Sequence, residues 1–139
     1  MPYAKHWNPM QLLNTYIVED SKVIQESLIA ALEEMAPIHV VGVAEDEPTA
    51  VRWLAEPVHC ADLVIVDVFL KVGSGLGVLR ASLITAPHRT MVVLSNHATV
   101  EIRRKCLELG AARIFDKSNE LDAFLLYCKQ LARSERADN

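Results

Sequence analysis

The sequence predicts an α/β fold in which a five-stranded parallel sheet is covered by helices on both faces. Short apolar runs rich in β-branched residues alternate five times with stretches whose apolar residues recur at helical steps of three and four. The runs 63–66 and 91–94 are apolar at every position, which is typical of parallel strands buried on both faces. The chain has 139 residues, enough for one domain with a core but not comfortably for two.

The first predicted strand covers residues 12–18 and ends in Glu19-Asp20. A helix is expected next, because Asp20 or Ser21 can serve as its N-cap and Pro37 ends it. The apolar residues of this helix recur at helical spacing and are predicted to be buried; they are Val23, Ile24, Leu28, Leu32 and Met35.

The second predicted strand covers residues 39–43. The acids and the proline of Asp46-Glu47-Pro48 are typical of the start of a helix. The third strand covers residues 63–67, so that Asp67 is its last residue. In open α/β sheets the carboxyl ends of the strands are the edge at which ligands bind.

Two glycines mark residues 71–75 as a loop, and residues 76–83 are predicted to be helical. The fourth strand, residues 91–95, ends in Ser95, and a helix over 100–109 is stopped by Gly110. Lys117 follows the fifth strand, residues 113–116, and Ser118 or Asn119 is expected to cap a last amphipathic helix.

Five alternations of strand and helix require right-handed crossovers between parallel strands. At this length the simplest result is the flavodoxin-like, doubly wound (βα)5 fold, for which the strand order 2-1-3-4-5 is expected. We divide the chain into an aperiodic N-terminal extension (residues 1–11), one domain (residues 12–132) and a polar tail (residues 133–139).

Composition excludes several classes of protein. The net charge of -4 gives no basic footprint for nucleic acid. No apolar run is long enough to cross a bilayer and no signal peptide is visible, so we expect no membrane association and a cytoplasmic location. The cysteines lie at positions 60, 106 and 128, without metal-ligand spacing, and are expected to be reduced thiols in the core.

Chemically active residues follow four of the predicted strands. Glu19 and Asp20 follow strand one, Asp67 ends strand three, Ser95 ends strand four and Lys117 follows strand five. Two carboxylates at close range repel by about 4 kcal/mol at an effective dielectric constant of 20. A lysine and a divalent cation would offset that repulsion, and Mg²⁺ suits a site with few carboxylates and room for phosphate oxygens. A hydroxyl and an ammonium can hold a phosphoryl group there, with Asp67 as its nucleophile.

Over about residues 12–132 the sequence resembles the CheY-like receiver domains of two-component response regulators. The matching segments are Glu19-Asp20, Val66-Asp67, Gly73-Ser74-Gly75, Leu94-Ser95 and Phe115-Asp116-Lys117-Ser118. The resemblance implies a phosphoacceptor, not a turnover enzyme, that receives its phosphoryl group from a histidine kinase or a histidine phosphotransfer protein. Because the chain ends soon after the fifth helix, we expect a single-domain regulator that signals by contact with a downstream protein or in a homodimer.

The resemblance also implies a role for each residue of the site. Asp67 is then the phosphoryl acceptor, and Asp20 contacts Mg²⁺ with Glu19 assisting through water. The backbone carbonyl of Phe69 is a further metal ligand. Ser95 hydrogen-bonds the phosphoryl group, and Lys117 pairs first with Asp67 and then with the phosphate. Asn96 and His97 adjoin the site and are expected to tune access to it.

Four positions depart from the family pattern. Lys71 and Ser118 stand where the family has proline, Asn96 where it has alanine or glycine, and Ile114 where it has an aromatic residue. Strand alternation sends Phe115, one position later, to the other face of the sheet. These departures support an alternative, an interaction or dimerisation module of receiver shape that does not use phosphate. An aspartyl-phosphate hydrolase is disfavoured, because Phe69 stands where that chemistry needs a second aspartate.

Overall fold

Five parallel strands form the centre of the protein in the computed structural model, which describes residues 12–137. The strands are β1 (Leu13–Val18), β2 (Ile38–Ala44), β3 (Leu63–Val66), β4 (Thr90–Ser95) and β5 (Ala111–Asp116). The helices are α1 (Lys22–Met35), α2 (Glu47–Ala55), α3 (Gly75–Thr85), α4 (Val100–Glu108) and α5 (Leu121–Ala137). The strand order is β2-β1-β3-β4-β5, which confirms the predicted topology.

The sheet separates two apolar layers. Leu63 and Ile65 of β3 face the layer formed with α1 and α5, whereas Val64 and Val66 face the layer formed with α2, α3 and α4. All four side chains are at most 1% exposed, which explains why this strand is apolar at every position. A central strand with both faces covered places Asp67 at the middle of the carboxyl edge of the sheet.

Alternation along β5 separates its two large side chains, as predicted. Ile114 lies in the layer with α2, α3 and α4, and Phe115 lies in the layer with α1 and α5. The ring of Phe115 packs edge-on against Phe124 of α5, with 5.8 Å between centroids. No aromatic side chain of β5 therefore lies on the Ile114 face of the sheet.

The last helix begins later than predicted and continues into the segment that we divided off as a polar tail. Neither Ser118 nor Asn119 caps it; their amides donate instead to Asp116 Oδ1 in a turn, and α5 begins at Leu121. Residues 133–137 continue α5, so the polar tail predicted from residue 133 is helical up to Ala137. The predicted N-terminal extension (residues 1–11) and residues 138–139 lie outside the described residues.

Some residues predicted for the core are exposed. The buried side of α1 consists of Gln25, Leu28 and Leu32, because these face the sheet, whereas Val23 is 72% exposed. Met35 is 42% exposed. Among the cysteines, Cys106 and Cys128 are buried as predicted but Cys60 is exposed. Within residues 12–137, none of the helices is long and apolar enough to span a bilayer.

Candidate functional site

Asp67 lies immediately after β3, and its backbone N–H donates to the Val18 carbonyl at 3.0 Å, which ties it to β1. Its side chain is 11% exposed. One carboxylate oxygen, Oδ2, accepts a hydrogen bond from Lys117 Nζ at 2.9 Å. The other, Oδ1, accepts from the backbone N–H of Phe69 at 3.2 Å. The carboxylate is thus held between a lysine and the loop that follows it.

Lys117, which follows β5, contacts residues at the ends of three other strands. Its backbone N–H donates to the Ser95 carbonyl at 2.9 Å, and its Nζ donates to Glu19 Oε1 at 2.6 Å as well as to Asp67. Burial by itself lowers the pKa of Lys117. The hydrogen bonds and negative charges of Glu19 and Asp67 outweigh burial, and the net effect raises that pKa above its ordinary value. The lysine is therefore a fixed cation between two carboxylates.

The consecutive acids Glu19 and Asp20 point in different directions. Glu19 is 3% exposed and faces Lys117, while its Oε2 accepts from the backbone N–H of Ser21. Asp20 Oδ2 instead accepts a hydrogen bond of 2.7 Å from the backbone N–H of Lys71, on the loop after β3. Ser21 is the N-cap of α1, so the turn into this helix separates the two side chains.

Ser95 is fully buried at the end of β4. Its Oγ accepts from the backbone N–H of His97 at 3.2 Å, and in the described part of the chain no hydrogen bond joins it to Asp67 or to Lys117 Nζ. Asn96 and His97 are exposed beside it. The His97 ring meets the Phe69 ring edge-on at 5.0 Å, so these two rings flank the entrance to the site.

A cavity of about 230 Å³ opens beside these groups. Its lining consists of Glu19, Asp20, Ser21, Ile24, Asp67, Phe69, Asn96, His97 and Lys117. The cavity thus collects all but Ser95 of the residues that sequence analysis predicted for the site. Three carboxylates face one ammonium, so two negative charges remain uncompensated in a space large enough for small polar groups.

The donors of this cavity fit Mg²⁺ in kind, because hard carboxylate oxygens with excess negative charge favour a small divalent cation. Their present arrangement is not yet a metal-binding one. Within residues 12–137, no group of three or more histidine, cysteine, aspartate or glutamate side chains is positioned to hold a metal ion. The reason is visible in the hydrogen bonds: Glu19 and Asp67 are turned to Lys117, and Asp20 is turned to Lys71.

Glu47, the first residue of α2, holds the loop between β3 and α3, a contact that sequence analysis missed. We call residues 67–74 the acceptor loop. Glu47 Oε1 accepts from the backbone N–H of Ser74 at 2.8 Å, and the Glu47 N–H donates to the Val72 carbonyl. Gly73, at φ 80°, supplies the left-handed turn beside it. Glycines at 73, 75 and 77 were the available signal that another group packs closely here.

Gly75→Ala should destabilise the protein more than Gly77→Ala. A Cβ at Gly75 would collide with the backbone carbonyl of Asp67 and lie 2.8 Å from Val66 Cγ1, and neither atom can move freely. A Cβ at Gly77 would displace only the flexible carboxylate end of Glu47, at the cost of its hydrogen bond to the Ser74 N–H. We expect a loss of about 1–3 kcal/mol in unfolding free energy for Gly75→Ala, measured by urea denaturation. Equal losses for both variants would contradict this reason.

Arg103 of α4 connects three elements, a role that no pattern in the sequence indicates. Its guanidinium donates to the carbonyls of Ala98 and Ile114 and to Glu120 Oε1. The pKa of Glu120 is lowered, first by the hydrogen bond from the Asp116 backbone N–H and then by Arg103. Arg103 and Glu120 therefore join α4, β5 and the start of α5, beside the turn that carries Lys117.

The chain is similar in sequence to known proteins of one family. The family model described as the response regulator receiver domain matches residues 15–128. The chain is 33% identical over 122 residues to protein-glutamate methylesterase/protein-glutamine glutaminase 5 of Myxococcus xanthus, and 30% identical over 112 residues to enzyme 1 of that name in Pseudomonas savastanoi. These alignments cover 86% and 78% of this chain. They cover 33% and 30% of the relatives, so the chain spans about a third of their length.

Solved structures share the fold. The signal receiver domain of an HD domain-containing protein from Pseudomonas fluorescens superimposes with a TM-score of 0.76 at 22% identity, covering 92% of this chain and 99% of that one. The response regulator domain of Thermotoga maritima CheB gives 0.75 at 18% identity, covering 91% and 97%. The family match extends from within β1 to within α5 and includes the residues of the cavity. The chain belongs to the receiver domain family of two-component response regulators.

Proposed function

We propose that Asp67 accepts a phosphoryl group from a phosphohistidine of a histidine kinase or a histidine phosphotransfer protein. The observation that carries this proposal is the pairing of Asp67 with Lys117 at 2.9 Å, in a cavity also lined by Glu19 and Asp20. A carboxylate beside a fixed ammonium can act as a nucleophile towards phosphorus while the cation receives the developing negative charge.

In the proposed step, an oxygen of Asp67 forms a bond to phosphorus as the bond between phosphorus and the donor's imidazole nitrogen breaks. The electron pair of the broken bond stays on the imidazole nitrogen, which takes up a proton from solvent. The product on this chain is an acyl phosphate on Asp67. Lys117, already 2.9 Å from the carboxylate, lies close enough to pair with the new phosphoryl oxygens.

Mg²⁺ would be held by Asp20, Asp67 and the backbone carbonyl of Phe69, with Glu19 contributing through water. When bound, the ion supplies positive charge to the carboxylates and to the incoming phosphoryl oxygens. Residues of the chain itself position the carboxylates. Lys117 keeps Glu19 and Asp67 in place, and the Phe69 N–H orients Asp67 Oδ1.

Ser95 would hydrogen-bond the phosphoryl group and report its arrival. A hydroxyl both accepts and donates, so Ser95 can keep the His97 N–H bond and still direct its own hydrogen to a phosphoryl oxygen. The proposed output is a change at β5 and its flanking helices that alters contact with another protein or a second copy. Arg103 and Glu120 connect that surface to the turn at Lys117.

The proposal is tested by incubating the protein with a small acyl phosphate and Mg²⁺ and measuring its intact mass. We expect the mass to increase by one phosphoryl group. No increase is expected when a chelator is added before the phosphodonor. Phosphotransfer from candidate histidine kinases then tests the donor. A protein that never gains the phosphoryl mass, yet still binds partners, would favour the interaction module that does not use phosphate.

A further inference from the structure

Asp20 has a hydrogen-bond partner that distinguishes it from the other acids of the cavity. Glu19 and Asp67 both accept from Lys117, but Asp20 Oδ2 accepts from the backbone N–H of Lys71. At 2.7 Å this is a short hydrogen bond to a charged group, a class stronger than neutral bonds. The bond spans the cavity edge from the β1–α1 turn to the acceptor loop.

The acceptor loop in fact holds two carboxylates. Besides the Lys71 N–H on Asp20, the Phe69 N–H donates to Asp67 Oδ1. Backbone N–H groups carry partial positive charge, so this loop supplies, in part, the charge that a cation would otherwise supply. Asp20 Oδ2 and Asp67 Oδ1 each carry one of these N–H groups, so a cation that approaches either oxygen meets a positively polarised hydrogen already bound there.

We propose that the Lys71 N–H competes with the divalent cation for Asp20, so that metal binding breaks the Asp20–Lys71 hydrogen bond and shifts the acceptor loop. This inference rests on the proposed metal-dependent function of the site. Lys71 then acts through Asp20 as a positioning residue that sets metal affinity, and its backbone, not its charged side chain, carries the effect.

The far end of the acceptor loop is fixed, which limits the shift. Glu47 accepts from the Ser74 N–H and donates its own N–H to the Val72 carbonyl. Phe69 is paired with Ser74 in an antiparallel β-bridge, so it is held as well. The shift is therefore confined to Leu70 and Lys71.

Proline substitution isolates the Lys71 N–H, because proline lacks this donor. Lys71→Pro removes both the N–H and the side-chain charge, and Lys71→Ala removes the charge alone. Val72→Ala changes the next residue of the same loop and keeps every backbone N–H. Each folded protein is titrated with Mg²⁺ while amide NMR signals near Asp67 are followed, with no phosphodonor present.

We expect Lys71→Pro to bind Mg²⁺ about three- to tenfold more tightly than Lys71→Ala, the range that loss of one hydrogen bond allows. Val72→Ala should bind like the wild type. In the wild type, the Lys71 amide proton should move upfield as Mg²⁺ saturates the site, because its bond to Asp20 is lost. That shift decides the question by itself if Lys71→Pro does not fold.

Equal or weaker binding by Lys71→Pro than by Lys71→Ala, or a Lys71 amide signal unmoved by bound Mg²⁺, would overturn the inference and leave the proposed function standing. Failure of every variant and the wild type to bind Mg²⁺ would overturn both. The two failures are thus distinguished by whether the wild type binds the ion at all.

Discussion

Asp67→Asn is expected to abolish phosphoryl transfer to this protein completely. The amide that replaces the carboxylate is a poor nucleophile and carries no charge, yet it has nearly the same shape. Its oxygen can still accept from Lys117 Nζ or the Phe69 N–H, so the fold should be retained. Intact mass after incubation with a small acyl phosphate and Mg²⁺ should show no added phosphoryl group, while the wild type gains one.

Asp62→Asn is the matched control for that experiment. Asp62 lies before β3, at the opposite edge of the sheet, where its Oδ2 accepts from the Asn14 N–H. This variant makes the same chemical change outside the cavity and should be phosphorylated like the wild type. Persistent labelling of Asp67→Asn would place the acceptor on another residue, and loss of labelling in Asp62→Asn would show that the assay reports folding, not the acceptor.

Lys117→Met is expected to destabilise the metal-free protein at neutral pH by about 3–5 kcal/mol, as breaking a buried ion pair typically does. Lys117 is 11% exposed and bonds two carboxylates that are equally or more deeply buried. Removing the ammonium leaves the carboxylates of Glu19 and Asp67 without the cation that lies between them. Urea denaturation monitored by circular dichroism measures the loss.

Two controls establish the cause. Lys105→Met removes a lysine whose Nζ lies 3.9 Å from Glu101 on the exposed surface of α4, and it should change stability by less than about 1 kcal/mol. The double variant Lys117→Met, Asp67→Asn removes one stranded carboxylate and should recover part of the loss. A loss for Lys117→Met no larger than that for Lys105→Met would contradict the argument.

The pH dependence of this effect follows from the raised pKa of Lys117. A lysine whose pKa is higher in the folded protein contributes stability at every pH below the unfolded value, about 10.4, and loses it as pH rises through the folded value. The difference between wild type and Lys117→Met should therefore stay constant from neutral pH to about pH 10 and narrow only in stronger alkali. A difference that closes near neutral pH would contradict it.

The structure brings together some of the site residues that we identified from the sequence, but not all of them. Asp67 and Lys117 are in contact, and Glu19 and Asp20 share their cavity. Ser95 ends β4, the strand next to β3, but its hydroxyl oxygen accepts a hydrogen bond from the His97 N–H. The roles of these residues in metal and phosphoryl binding stay predictions, which the experiments above address.

Residues that the sequence did not reveal act through long-range contacts. In the sequence, Glu47 is typical of the first turn of a helix, and Arg103 belongs to no motif. Glu47 bonds the acceptor loop, and Arg103 bonds the carbonyl of Ile114 and the carboxylate of Glu120. Each of these partners lies more than ten positions away along the chain. No local pattern encodes such partners, because they depend on how α2 and α4 lie against the rest of the fold.

The amino-acid sequence by itself determined the alternating elements, the parallel sheet and the collection of acids, a hydroxyl and a lysine at its carboxyl edge. It could do so because hydrophobic periodicity reports burial, and because parallel strands bring their carboxyl ends together. Only the tertiary structure decided which oxygen meets which donor, such as Asp20 with the Lys71 N–H and Glu19 with Lys117. Side-chain direction after a strand depends on the backbone path of the loops, and that path is set by contacts between distant segments.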